Sequence, residues 1–482
     1  MRLQAKGYLT VFLSLSITII LSLILALYQG ARIGAMKMRT ECVSDIAMNS
    51  VLAEYHRELQ KKYDLLLVDT SYGGASPSIA NTEEHLRYYV QGNFDRTPEG
   101  VLFGAVRLTG MECREAKIPA YSLATDGDGA VLQRQILAYM TAEPAEGLLS
   151  RISGNVGELK SHGYDSRDIE AENEENQQQI REIREAAANR EKDKGETETE
   201  QEAQENPADL VATQKSAGIL SLAIPDQAGI STASVQLSQY ASHRQNMTGT
   251  GLDETETLSL TDRVLLDQYM FEKCGSYTDI REGTPLKYEL EYILEGEGSD
   301  RENLEKVARK LMFWREASNF SYLITDTEKC KKAEAVAMLL SAITGLPELE
   351  EPVKYSILFA WSFAESISDL RILFQNGRVP IVKTNDTWKT GFLEMADLRH
   401  AGGGSGDQGL NYEEYLRMLF FMEHMNTKTE RLTDLMEMNI RETAGNQNFR
   451  LDACMDCFTG EIRTEGRNGF SMKIQRTYGY EQ

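Results

Sequence analysis

Residues Tyr8 to Tyr28 form an unbroken run of twenty-one uncharged residues, YLTVFLSLSITIILSLILALY, in a chain that is otherwise much more polar. As a helix rising ~1.5 Å per residue, such a run covers about 30 Å, the thickness of a bilayer's hydrocarbon core. The next most apolar segment, 353–375, is interrupted by Lys354, Glu365, Asp369 and Arg371. Its uncharged stretch from Tyr355 to Ala364 is too short to span, so it reads as a central buried helix. The expectation is one membrane anchor, residues 1–30, entering the lipid bilayer through residues 8–28 and carrying one large body.

Arg2 and Lys6 precede the run, and Arg32, Lys37 and Arg39 follow it. Flanking charge alone therefore does not orient the anchor. A seven-residue flank is more easily held in the cytoplasm than a large domain, and long domains translocate largely regardless of charge. The expected topology is single-pass, with the N-terminus cytoplasmic and the body extracytoplasmic. No clean A-x-A site follows the run, so it is read as an uncleaved anchor. Lys6-Gly7 resembles a prepilin-type processing site, although Phe12 stands where the pilin pattern carries Glu.

The formal net charge is −23 and the pI about 4.9, which argues against a nucleic-acid partner, since phosphate binding needs concentrated Lys and Arg. An extracytoplasmic body also has no access to cytosolic nucleotides. Fifteen acidic and six basic residues fall between Asp165 and Glu205, with almost no large apolar side chain. Such a stretch buries too little surface to offset its ordering entropy and reads as a disordered insertion, with 180–188 at most a transient helix. The Ser/Thr/Gln-rich residues 212–258 read as loops with one strand at most, extending the linker to 165–257.

Around that linker the expected fold is α+β. Apolar residues from Ile33 to Leu59 recur at three- and four-residue spacing and continue the anchor as an amphipathic stem. With a short strand at 63–69, a helix at 81–92, short strands from 99 onward and a helix at 130–141, it makes a first region, 31–164. The main domain, 258–482, is expected to be mostly helical: 260–273, a helix behind the Ser299/Glu302 capping box, 334–343, 353–375, 411–426 and 428–440. Tyr288, Leu290, Tyr292 and Leu294 alternate with Glu289 and Glu291 and suggest a half-buried strand. Residues 379–382 suggest another. From Phe449 onward the period is two, which predicts a terminal antiparallel sheet of two or three strands.

Chemistry is sparsely signalled. Cys454-Met455-Asp456-Cys457 is a C-x-x-C in a strand-period segment, where residues three apart face opposite ways, unlike the helix N-terminus of redox enzymes. Cys457 is expected in the core. Cys454, with Cys42, Cys113, Cys274 and Cys330, is free to pair elsewhere in an exported protein. No histidine pair has metal-ligand spacing. Gly402–Gly406 lacks the Lys-Ser or Lys-Thr of a phosphate loop and reads as a flexible connection. Glu365 and Asp369, four apart on one helix face, are the best acid/base candidates, against a structural reading in which they pair with Arg371, Lys354 or Arg378, or cap neighbouring loops. No catalytic, cofactor or metal site is assigned.

The block from Tyr288 to Trp388 resembles DUF5702, a family of membrane-anchored proteins from Gram-positive, mostly clostridial, bacteria. The matching pieces are YELEYILEG (288–296), SDRENLEKVARKLMFWREASNFSYL (299–323), AWSFAESISDLRILF (360–374) and GRVPIVK (377–383) with Trp388. The opening GYLTVFLSLSITIILSLILALYQGAR is also similar to the family's. The resemblance covers the anchor and most of 260–480. It implies a layout similar to minor pseudopilins of tight-adherence (Flp-type) pilus systems, with other pilus or secretion-system membrane proteins as partners and no catalytic residues to carry over. The leading expectation is a non-enzymatic envelope component of such a system. The alternatives are an extracytoplasmic ligand-binding module or receptor, and a hydrolase using Glu365 and Asp369.

Overall fold

A computed structural model describes residues 4–95, 110–194, 206–252, 257–399, 406–466 and 469–480. The strands expected between 99 and 109, the acidic residues 195–205, the glycines 402–404 and the turn at Asn468 lie outside the described residues. The fold is α+β. Its segments cluster into two compact units, the first built from 1–139, 244–256 and 440–482, the second from 140–243 and 257–439.

The first unit begins with helix α1 (Gln4–Leu52), 49 residues long. Among the described residues it is the one helix long and apolar enough to cross a membrane, and its apolar window has a mean hydropathy of 2.5 and no burial. Small residues recur there every fourth position: Thr10, Ser14, Thr18, Ser22, Ala26, Gly30 and Gly34. The hydroxyls bond back to the helix's own carbonyls, Ser14 Oγ to Val11 O at 2.9 Å and Thr18 Oγ1 to Ser14 O at 2.7 Å, which satisfies them without water. Beyond Ala35 the helix changes character. Met36, Val43, Ala47, Met48 and Val51 lie on one face and are buried, whereas Ile33 and Ile46 stay half-exposed. The stem stops at Leu52, and a separate short helix α2 (Arg57–Tyr63) follows.

The buried face of α1 packs on an antiparallel sheet of four strands: β1 (Val68–Asp69), β2 (Glu112–Leu123), β3 (Cys454–Glu465) and β4 (Ser471–Gly479). Strand β3 is central. One edge pairs with β2, and the other with β1 at Met455 and with β4 from Cys457 to Glu465. Pro119 sits where the β2–β3 register shifts between Lys117 and Ala120, so its missing N–H breaks no regular ladder. Gly460 of β3 permits the close approach of α1, since a Cβ there would lie 2.6 Å from the Met48 methyl. Helix α3 (Ile79–Asp95) adds Leu86, Val90 and Phe94 to the same core, and α4 (Asp126–Met140) follows β2 and contains, near its start, a non-helical turn with positive φ at Gly127, Asp128 and Gly129. The expected division into 31–164 and 258–482 therefore gives way to an interleaved one: the terminal strands pair with strands from the start of the chain, because β3 offers two edges.

In the second unit α13 (Glu350–Phe374) is the hub, with twenty of its 25 residues buried, as expected for a helix apolar nearly all round. Packed on it are α6 (Ile169–Lys194), α7 (Pro207–Lys215), α8 (Ile219–Ala223), α11 (Asp300–Thr325) and α12 (Thr327–Thr344), and the unit also holds α5 (Ala145–Ser161), α9 (Leu260–Lys273), α10 (Glu289–Glu295), α14 (Tyr412–Met422) and α15 (Met425–Arg441). Two expectations are corrected here. The acidic stretch expected to be linker is helical over Ile169–Lys194, because Ile169, Asn176 and Ile180, seven and four apart, form one buried stripe. Asn176 Nδ2 donates to Pro352 O and Ser356 Oγ, both at 2.9 Å, and Glu, Gln, Arg and Ala on the other faces favour helix. The Ser-rich segment after it is also anchored: Ser231 bonds Asp300, and Ser242 bonds Asp434.

The second correction concerns 288–294, a helix rather than a strand, closed by Gly296 at φ 70°. Alternation implies a wet face, but Glu289 and Glu291 are as buried as Leu290 between them and the flanking Tyr288 and Tyr292. Glu289 accepts from the Gly275 N–H at 2.7 Å and Asn439 Nδ2 at 2.6 Å, and Glu291 from the Tyr277 N–H at 2.9 Å and the Tyr412 hydroxyl at 2.7 Å. With every position buried, a period of two carries no information. Likewise 379–382 makes only an isolated bridge, Val379 to Leu410, and no strand.

Candidate functional site

The two carboxylates singled out in the sequence, Glu365 and Asp369, lie one turn apart on α13, both with no exposed surface. Neither takes the partners expected, Arg371, Lys354 or Arg378. Their partners come from α11 and from the segment after α13. Lys383 Nζ lies 2.7 Å from Glu365 Oε1 and 2.5 Å from Asp369 Oδ1. Arg315 of α11 donates Nε to Asp369 Oδ2 at 3.0 Å, with Nη2 also at 3.0 Å. Asn319, one turn further on α11, donates Nδ2 to the same oxygen at 3.0 Å and to Ser366 Oγ at 2.9 Å. Glu365 accepts from the backbone N–H groups of Lys389, at 3.0 Å, and Thr390, at 2.7 Å.

Sequence spacing explains this convergence. Arg315 and Asn319 are four apart on α11, as Glu365 and Asp369 are on α13, so each helix presents one polar turn to the other. The turn at Asn376, with φ 60°, sends the chain back along α13, where Arg315 Nη1 donates to the carbonyls of Pro380 at 2.8 Å and Ile381 at 3.1 Å. Ser318 Oγ reaches Ile381 O at 2.7 Å, and Trp361 Nε1 reaches Thr390 O at 2.9 Å. These bonds fix the segment that delivers Lys383. Arg315 and Lys383 were missed in the sequence reading; the signal available was a charged residue inside the apolar face Leu311–Trp314–Phe320.

Two cations face two anions, so the cluster is neutral as a whole. Burial pushes the Asp369 carboxyl up, but Lys383 and Arg315 outweigh it and hold the group below the usual carboxylate range. Arg315 is driven the other way: burial lowers it, while Tyr415 and Asp369 raise it further. A hydrolase using Glu365 and Asp369 needs an open pocket containing both. A cleft of about 110 Å³ is lined by Asp369, Lys383, Arg378 and Asp386, but Glu365 does not line it. The carboxylates hold protein cations in place and offer no water-exposed acid/base pair.

Other buried carboxyls in this unit lack such balance. Burial pushes Glu291 and Glu316 each up to about 7; Glu291 has only hydrogen bonds against it, and Glu316 only Lys215, with Nζ 4.0 Å from Oε1. Asp267 is pushed up to about 6 by burial despite its ion pair with Lys428.

In the first unit a separate cluster surrounds Glu54. Its carboxylate accepts from His85 Nδ1 at 2.9 Å and the Tyr89 hydroxyl at 2.7 Å, and that bond, with burial, raises the Tyr89 phenol to about 12. Tyr72 stacks on His85 with centroids 3.8 Å apart. Glu54, Glu84, His85, Tyr88 and Tyr89 line an open pocket of about 330 Å³, and Tyr88 is 66% exposed.

All six cysteines are free thiols. Cys454 and Cys457 lie in β3, as the strand period implied, and both are buried. Burial raises the Cys113 and Cys274 thiols, which lowers their reactivity. Among the described residues no three His, Cys, Asp or Glu side chains converge as metal ligands.

No curated protein and no solved structure matches this chain. A family model does match, over residues 197–466, more than half of the chain. The match takes in the Ser-rich segment and stops short of the apolar N-terminal helix, so it extends further into the middle of the chain, and less far toward its start, than the resemblance read from the sequence. The buried Arg315–Asp369–Lys383–Glu365 cluster lies wholly inside the matched region, and the chain belongs to DUF5702, a family of unknown function.

Proposed function

We propose that this protein is a non-enzymatic, single-pass component of the envelope of a Gram-positive bacterium, with its body outside the membrane, acting as a pseudopilin-like part or accessory of a tight-adherence type pilus or secretion system. The observation that carries this reading is the division of α1. Its first half is exposed and apolar, and its second half, without a break, is the helix on which the antiparallel sheet of the first unit packs. A helix of this kind transmits any displacement or load in the membrane directly to a folded body. The small residues at every fourth position, from Thr10 to Gly34, let a second membrane helix approach closely, which suits a component of an assembly. The burial of the carboxylate cluster, with its cations supplied by the protein, supports a structural role for the second unit.

Protease added to intact, wall-stripped cells is expected to digest the body while sparing the anchor. Complete protection until lysis would reverse the topology and remove the pilus reading with it. Deleting the gene is expected to change surface pili, and the tagged protein to co-purify with pilus platform proteins. Normal pili in the deletion strain and no such partners would sink the proposal.

The pocket at Glu54 favours a second reading, a binding module. Two carboxylates and exposed tyrosine faces suit a cationic group on a peptide. Titration of the purified body with lysine-rich peptides, in wild type and Tyr88→Ala, tests it; no binding to either would dismiss it.

A further inference from the structure

The cluster on α11 and α13 contains the parts of a reaction as well as of an ion-pair network. An amine, Lys383 Nζ, lies within hydrogen-bond distance of two carboxylates, and the two are held differently. Asp369 Oδ2 receives three N–H contacts, two from Arg315 and one from Asn319, all near 3.0 Å. That withdraws charge from its carboxyl carbon and leaves Oδ1 toward Lys383. Glu365 is held by the Lys389 and Thr390 N–H groups and keeps Oε1 on the same amine. The four charged side chains are at most 3% exposed.

We propose that Lys383 and Asp369 condense into an intramolecular isopeptide bond, with Glu365 as the catalytic proton carrier. Glu365 Oε1 takes a proton from the Lys383 ammonium, and the freed Nζ lone pair attacks Asp369 Cγ, forming the C–N bond. Negative charge develops on Oδ2, where Arg315 and Asn319 already point, the arrangement that stabilises a tetrahedral intermediate. The Cγ–Oδ1 bond then breaks. Oδ1 leaves as water, carrying two of the three ammonium protons, both delivered through Glu365, which ends ionised as it began. One ammonium and one carboxylate become one amide and one water, and no oxidant or cofactor is needed.

Two features favour the product. Amine and carboxyl are fixed in contact, and effective molarities for well-oriented intramolecular reactions reach about 10⁵–10⁸ M. Condensation also removes one buried cation and one buried anion, each costly to desolvate, and leaves Arg315 to balance Glu365. The small cleft lined by Asp369 and Lys383 gives the released water a way out. The bond would clamp α13 to the segment after it, in the unit that must stay folded under any load that α1 transmits.

Peptide mass mapping of the purified full-length chain tests this. Trypsin cannot cut after an acylated lysine, so the expected product is a branched peptide joining 355–371, which carries Asp369, to 379–389, which carries Lys383, lighter than the two peptides together by the mass of one water. Glu365→Gln keeps size and an acceptor for the Lys389 N–H but cannot carry the proton; it is expected to give the two separate peptides at full mass, with the helical circular dichroism of the wild type. Separate full-mass peptides from the wild-type chain would overturn the proposal. So would a water loss confined to one unbranched peptide, as from a cyclised aspartate. A branched peptide from Glu365→Gln would remove Glu365 from the mechanism.

Discussion

In the first unit Met36, Val43, Met48 and Val51 of α1 meet Met455, Phe458 and Ile462 of β3, apolar against apolar. In the second, α11 and α13 meet across Arg315, Glu365 and Asp369, and α10 buries Glu289 and Glu291 beneath Tyr412 and Asn439. Both interiors are closed, but they depend on different variables. An apolar core depends on volume and shape. A core threaded with ionisable groups depends also on which partners are present and on pH. The second unit is therefore the one whose stability should respond to single charge changes and to acidity.

The sharpest way to break this contrast is to remove one charge from the balanced cluster. Lys383→Met leaves Arg315 facing two buried carboxylates, and breaking a buried pair on one side costs about 3–5 kcal/mol. Thermal unfolding should show the loss of most of the second unit's stability. A change under ~1 kcal/mol would mean that the cluster is not sealed.

Phe458→Ala, at a fully buried position of β3, should cost the first unit a similar or slightly smaller amount, about 3–5 kcal/mol for a large aromatic truncation, equally at pH 5 and pH 8. A strong pH dependence of that cost would blur the distinction between the units.

Next in size is the acidity effect itself. Glu291 is pushed by burial from 4.5 to about 7, so the folded state holds its proton more tightly than the unfolded chain. The stability it contributes is fully present below the unfolded value and is lost as pH rises through about 7. The loss is at most about 3 kcal/mol, at roughly 1.4 kcal/mol per pKa unit. Glu316 acts with the same sign. Melting temperature should thus fall between pH 5 and pH 8, and Glu291→Gln should flatten the slope. A slope unchanged by that variant would reassign it to other groups.

The smallest effect is expected where neither kind of core is touched. Asn411 caps α14, accepting the Glu414 N–H at 2.9 Å in a reciprocal capping box. Asn411→Ala should cost about 1 kcal/mol, independent of pH in this range.

Several elements were legible before any tertiary information. The helix at 260–273 is found at those residues, and 353–375 is a central buried helix that starts three residues earlier, at Glu350, and ends one earlier, at Phe374. The paired helices α14 and α15 and the strand that contains both Cys454 and Cys457 also follow from periodicity. So does the long apolar N-terminal helix, because twenty-one uncharged residues, long enough to span a bilayer, are read without reference to anything else. Composition and local period determine such features, since each depends on residues a few positions apart.

What only the tertiary structure decided are features that depend on distant partners. A carboxylate looks solvated until a Tyr412 or an Asn439 arrives to satisfy it, which is why 288–294 reads as a strand and folds as a helix. An acidic stretch looks disordered until three residues, Ile169, Asn176 and Ile180, find α13. The sheet takes its strands from both ends of the chain, a pairing that no local pattern specifies. Glu365 and Asp369 were visible as a pair on one helix face, but their chemistry was not. Lys383 follows Asp369 by fourteen residues and Arg315 precedes it by fifty-four, and only folding brings those cations within 3.0 Å and turns two exposed-looking acids into the neutral centre of a buried cluster.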